Sequence, residues 1–326
     1  MARRGWWAAS VAAAALAAGA LLWALHAPAR LDGAVDRAAR APSAPGAGAG
    51  GPAAAAPGPG SAAGAAAGSG SGAAGAAEAH GVFIPDDTAL SQRLQELGLS
   101  YLMGAYTTDF SHATPSQADN IALAARRLNG TVVPPGAIFS YNRTVGPYTR
   151  ANGFGMGRMF VGARIVPSIG GGVCQGASTL YNAVVLADLE VVERHAHGLT
   201  VPYLPPGQDA TVTDTYGLDF RFRNDTQAPV LIRAAAEDRK LTIAIYGAER
   251  PPQVTWRHEI LATYPKTVEF TTDPDLPSGI RKTVAAGQDG VTVHSWLIIH
   301  RPEGDEIRDL GIDTYRPSPQ VVAAGP

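Results

Sequence analysis

Residues 31–80 contain almost nothing that a protein core could use. The stretch "GAGAGGPAAAAPGPGSAAGAAAGSGSGAAGAAEA" is alanine, glycine, proline and serine with a single acidic residue. Such a composition cannot offset the entropy of ordering it. Its interspersed Gly and Pro also argue against an alanine helix. It predicts a disordered linker at 31–80 and confines any fold to the chain beyond about residue 82.

The segment before the linker reads "MARRGWWAASVAAAALAAGALLWALHAPAR". Arg3 and Arg4 precede an uncharged apolar run over residues 5–25, and a bilayer core needs about 20 such residues. The basic flank predicts a cytoplasmic N-terminus, and Trp6, Trp7 and Trp23 sit where aromatic belts form. A cleaved signal is the alternative, since Ala27-Pro28-Ala29 fits a small-x-small cleavage site. Both readings of residues 1–30 put the rest of the chain outside the cytoplasm, held at the membrane by one transmembrane helix or secreted.

The chain carries 26 Lys+Arg against 28 Asp+Glu, a formal charge of -2. That balance leaves no electrostatic footprint for nucleic acid. No cofactor motif stands out. "GFGMG" superficially resembles a nucleotide loop, but no clear strand precedes it and no helix follows.

Order begins near Val82. "DDTALSQRLQELGL" places Leu90, Leu94 and Leu97 at helical spacing behind Asp caps. In "SQADNIALAARRLNG", Ser116 or Asp119 caps a helix whose Ile121, Ala124, Ala125 and Leu128 share a face, and Gly130 stops it. Residues 145–169 are Gly-rich and β-like. A helix with Ala177, Leu180, Val184 and Ala187 on one face follows residue 174. "LEVVERHAH", "LDFRFRN" and "KLTIAIYG" read as strands, as do "KTVEFTT" and "VTVHSWLIIH" in the tail. The fold class is α+β, a mixed helix and antiparallel-sheet domain over 82–250 followed by a small all-β domain over 251–326.

Cys174 is the one cysteine in the chain. Exported proteins often pair cysteines, and this one has no partner within the chain. It is an inert packed thiol, an intermolecular link, a metal ligand or a reactive group. In "GGGVCQGASTLYN" it stands where a Gly-rich turn enters a helix. Backbone N–H groups at such a start point outward beyond Gly172, and with the helix dipole they favour thiolate over thiol. The same groups could stabilise an oxyanion, with the Gln175 side chain as a further donor. Downstream, "ERHAHGLTVPYLPPGQDATV" supplies His195, His197 and Asp209. In an extended strand the two histidines point to one face, and Asp209 can return on the next strand to orient one of them. Cys174, a histidine and Asp209 then form a nucleophile, base and orienter. Packing at a tight turn is the competing account of Cys174. A zinc site from Cys174, His195 and His197 lacks a fourth ligand at standard spacing.

The motifs "RRLNGTVVPPGAIFSYNRTVGP", "GGGVCQGASTLYNAVVLADLEVVERHAHG" and "YLPPGQDATV…DFRFRN" resemble the VanW-like proteins, in that order, over residues 110–247. The resemblance implies a bacterial cell-envelope context; the family takes its name from an accessory gene of vancomycin-resistance clusters. It places Cys174, Gln175, His197 and Asp209 on the family pattern. His195 stands where the family often has another polar residue, which makes His197 the preferred base. "TVEFTTDPDLPSGIRKTVAAGQDGVTVHSW" resembles the small all-β surface domain named for its five glycines, associated with adhesion and cell-wall contact. The expected partner is therefore peptidoglycan. The expected function is either cysteine-dependent hydrolysis or transfer at cell-wall peptide or amide bonds, or non-catalytic cell-wall binding or scaffolding.

Cell fractionation checks the anchor. The full chain should stay with membranes, and a soluble chain beginning at Arg30 would instead establish cleavage.

Overall fold

The computed structural model describes residues 87–161 and 164–326. The anchor expected at 1–30 and the linker at 31–80 lie outside these residues. Among the described residues no helix is long and apolar enough to cross a membrane.

The order is α1 (Thr88–Leu97), β1 (Tyr101–Asp109), α2 (Pro115–Leu128), β2 (Thr131–Val133), β3 (Ile138–Ser140), α3 (Tyr141–Val145), β4 (Met156–Val161), β5 (Arg164–Ile169), α4 (Val173–Leu186), β6 (Glu190–Glu193), β7 (Arg221–Arg223), β8 (Val230–Glu237) and β9 (Lys240–Gly247). The tail adds β10 (Gln253–Tyr264), β11 (Val268–Thr272), β12 (Arg281–Ala285), β13 (Gly290–Arg301), β14 (Gly304–Tyr315) and β15 (Gln320–Ala324). The fold is mixed and mostly antiparallel.

The main sheet runs β1-β9-β8-β2, antiparallel throughout. Both its faces are buried, and side-chain alternation divides them. Ile232, Ile243 and Ile245 enter the large core beneath α2 and α4. Leu231, Ala244 and Tyr246 point the other way and pack with Leu94 and Leu99 in a smaller cluster.

Local chemistry sets the helix boundaries. Asp87 caps α1 by accepting from the Ala89 and Leu90 amides, and Gly98 ends it in the left-handed region. Thr114 caps α2, in a reciprocal box with Gln117 and with Pro115 in the first turn. Neither Ser116 nor Asp119 is the cap. Pro115 favours the first helical position, so the cap must precede it.

Helix α4 is different. Its N-cap is Gly172 at φ 109°, and no side chain caps it. Residues 175–185 are all buried, so the helix is wrapped rather than amphipathic. Small residues permit this. Strand β1 crosses directly at Gly104, where a methyl group would collide with the Ala183 carbonyl. Gly176 receives the Tyr141 hydroxyl, which would meet any Cβ there.

The tail forms a β10-β13-β14 sheet and a β11-β15-β12 sheet. Among the described residues no strand pairing joins the chain before Gly247 to the chain after Gln253. Side chains do cross. Leu297 and Ile299 lie in the large core, and Trp256 meets Tyr181 of α4 edge-on at 5.4 Å.

Leu180 is wholly buried on α4. Leu180→Ala should cost about 2–5 kcal/mol, read as a lower urea midpoint with an unchanged slope.

Candidate functional site

Cys174 is the second residue of α4 and the one residue between Val173 and Val185 that is only half-buried. The tight Gly-rich turn before it dictates this position. As a thiol, Cys174 donates to the Val212 carbonyl at 3.4 Å. Its other partner is His197, whose imidazole shares a side-chain hydrogen bond with the sulfur. His197 Nδ1 is committed to Asp209 Oδ2 at 2.6 Å, which leaves Nε2 for the sulfur. The three residues thus form one connected line: thiol, imidazole, carboxylate.

Asp209 is 1% exposed. A buried carboxylate must be fully hydrogen-bonded or it neutralises. Oδ2 accepts from the backbone N–H and Nδ1 of His197, at 2.7 and 2.6 Å. Oδ1 accepts from Arg194 Nη2 at 3.2 Å and from the Tyr315 hydroxyl at 2.5 Å. Arg194 Nε also donates to the Asp209 carbonyl at 2.7 Å, and its Nη1 pairs with Asp313 at 2.6 Å. The guanidinium lies over the Tyr181 ring, 5.3 Å from its centroid.

Charge balance sets the protonation states. Burial pushes the Asp209 carboxyl up, but His197, Arg194 and the Tyr315 hydroxyl outweigh it and hold the carboxyl below its ordinary value. Burial opposes charge on His197, yet the Asp209 and Cys174 contacts raise it to about 9. Burial pushes the hydroxyls of Tyr141 and Tyr203 well up, reinforced by the nearby sulfur, so both stay neutral donors. Tyr141 donates to the Val173 carbonyl at the foot of the site.

The other candidates fall elsewhere. His195 is not beside His197: its ring meets Glu193 Oε1 at 3.1 Å, half-exposed. The two-residue strand period fails because β6 stops at Glu193. Asp209 is likewise in a loop, not on a strand. Gln175 donates both amide hydrogens to Thr108 Oγ1 and the Asp109 carbonyl, each at 3.0 Å, so it has no donor left for the thiol's reaction partner. Gly172 does shape the turn. Among the described residues no cluster of His, Cys, Asp or Glu is arranged to hold a metal ion.

Sequence reasoning did not single out Arg194, Asp313 or Tyr315 as site residues. Arg194 lies inside the motif carrying His195 and His197, and a charged residue directly before two candidate bases was the available signal. Nothing in the order of residues ties 313 and 315 to 209.

Fold and site together define an α+β protein with a half-buried cysteine over a buried His–Asp pair at a helix N-terminus that no side chain caps. Residues 116–246 match the family described as VanW like protein. It is 41% identical over 147 residues to the Uncharacterized protein YoaR of Bacillus subtilis (strain 168), covering 45% of this chain and 48% of that one. It is 26% identical over 189 residues to the Vancomycin B-type resistance protein VanW of Enterococcus faecalis (strain ATCC 700802 / V583), covering 53% of this chain and 66% of that one. The chain thus spans about half to two thirds of these relatives' lengths. Two solved structures, "IgA1 Protease G5 domain structure" and "Crystal structure of HP0197-G5", align with 24% and 22% of this chain and 98% and 99% of their own. Their identities are 23% and 16%, with TM-scores of 0.16 and 0.14.

A pH titration of stability tests the cluster. His197 is raised from 6.5 to about 9 in the folded chain. Its contribution is therefore complete below 6.5 and lost as pH rises through about 9. Urea unfolding should show the native chain losing a few kcal/mol across that window, while His197→Gln shows no such loss. A flat native profile there would refute the pairing.

Proposed function

We propose that Cys174, His197 and Asp209 act as nucleophile, base and orienter in acyl transfer at peptide or amide bonds of cell-wall material. The observation that carries this reading is the continuous thiol–imidazole–carboxylate line, with the sulfur as its most solvent-accessible member. In the first step the sulfur, having passed its proton to His197, adds to the substrate carbonyl carbon. The carbon–nitrogen bond then breaks, His197 returns the proton to the departing amine, and a thioester remains on Cys174. Water, deprotonated by His197, releases the acid and restores the thiol. An amine in place of water completes a transfer. Asp209 stays ionised throughout and holds the imidazole in place.

The cell envelope is the proposed setting. The apolar N-terminal run, the VanW-like segment and the tail's sequence resemblance to the five-glycine surface domain support an extracytoplasmic protein held at the membrane by its N-terminal helix, with peptidoglycan as partner. A non-catalytic envelope-binding module is the second reading. It is favoured by the burial of His197, 6% exposed, beneath the thiol.

Reactivity separates the two. The full chain should be alkylated at Cys174 by iodoacetamide at neutral pH. It should also form a thioester at Cys174 with peptidoglycan peptides, detectable by mass spectrometry. Cys174→Ser should abolish both, and His197→Gln should slow turnover by about 10²–10⁴-fold. An inert Cys174 in a folded chain overturns the catalytic reading and leaves the binding module.

A further inference from the structure

Two groups from far along the chain bear on the orienting carboxylate, one directly and one through Arg194. Both lie on β14, outside residues 116–246 that match the VanW like family. The Tyr315 hydroxyl is fully buried and bridges two points: it accepts from the Gly207 amide at 2.8 Å and donates to Asp209 Oδ1 at 2.5 Å. Asp313 takes Arg194 Nη1 at 2.6 Å, which sets the guanidinium across Asp209 so that Nε meets its carbonyl and Nη2 its carboxylate.

The rest of the tail holds the same loop. The Arg316 amide donates to the Gly198 carbonyl at 2.8 Å, and Gln288 Nε2 donates to the Thr200 carbonyl at 3.0 Å. His258 meets the Gln208 amide at 2.9 Å. The segment carrying Asp209 has no regular secondary structure of its own, so its position depends on these partners.

The geometry points to Tyr315 and Asp313 as positioning residues of the Cys174 cluster, supplied by the C-terminal β segment. This rests on reading the cluster as nucleophile, base and orienter. It makes the tail part of the site rather than an appended surface domain.

The groups facing His197 and Asp209 are Cys174 from α4, Arg194 from the chain after β6, Tyr203 from the loop, and Asp313 and Tyr315 from β14. Two substitutions should therefore move the His197 titration in opposite directions. Tyr315→Phe removes one of two donors to Oδ1. The carboxylate then leans harder on the imidazolium, and the midpoint rises. Asp313→Asn removes a negative charge from the cluster and leaves Arg194 less compensated, so the midpoint falls. Shifts of about half a pH unit or more are expected. Tyr264→Phe, at an exposed hydroxyl pair with Thr292, is the control and should move nothing.

The measurement is NMR titration of ring-labelled histidine in the full chain, with thermal unfolding beside it. Opposite shifts with the fold intact support the inference. A lowered thermal midpoint with unmoved His197 titration in both variants overturns it, because that is what packing alone produces. If Tyr315→Phe does not fold, the partly exposed Asp313→Asn decides by itself. Alkylation of the native chain separates the two claims. An inert Cys174 removes the nucleophile assignment while the titration still tests the positioning. A reactive Cys174 with unmoved titration removes only the positioning.

Discussion

The burial of one carboxylate governs this molecule. Asp209 lies in a loop with no ladder to hold it, yet it is ionised and shielded from water. Four donors on its two oxygens make that state possible, and they come from three residues on two distant stretches of chain. Removing any one leaves a buried charge under-satisfied, which costs more than the lost bond was worth. The loop's path, the raised protonation of His197 and the seating of β14 are therefore one linked arrangement.

That arrangement explains why α4 begins as it does. The caps of α1, α2 and α3 are side chains: Asp87, Thr114 and Ser140. Helix α4 has a glycine at φ 109° instead, and the position after its first residue is the thiol. A side chain there would have to adopt a strained φ and would press on the Gln117 carbonyl and Ile121 of α2. The helix gives up that local stabilisation and recovers it through packing, since nearly everything after Cys174 is buried.

The cluster also carries its own charge balance. Asp209 and Asp313 face Arg194 and the imidazolium of His197, two negative groups against two positive. The sulfur sits at the edge of this set, donating to the Val212 carbonyl and standing beside the His197 imidazole.

Much of this was legible in the order of residues. The periodicity of "DDTALSQRLQELGL" and of the run after Asp119, the alternation of "KLTIAIYG" and the glycine turn before Cys174 are local signals, and each acts within a turn or two of chain. They also brought Cys174, His195, His197 and Asp209 forward, and the family resemblance then preferred His197 over His195. Other features required the third dimension. The alternation that would have put His195 beside His197 ends at Glu193 because the strand ends there, and a strand's end depends on its neighbours. Gln175 looked free in sequence but is consumed by Thr108 and Asp109, which lie 67 and 66 residues away. Tyr315 reaches Asp209 across 106 residues. Residue order determined which side chains could do chemistry and which segments would become helix or strand, because those depend on near neighbours. Only the tertiary structure decided which of them met, because burying Asp209 demanded partners wherever the chain could bring them.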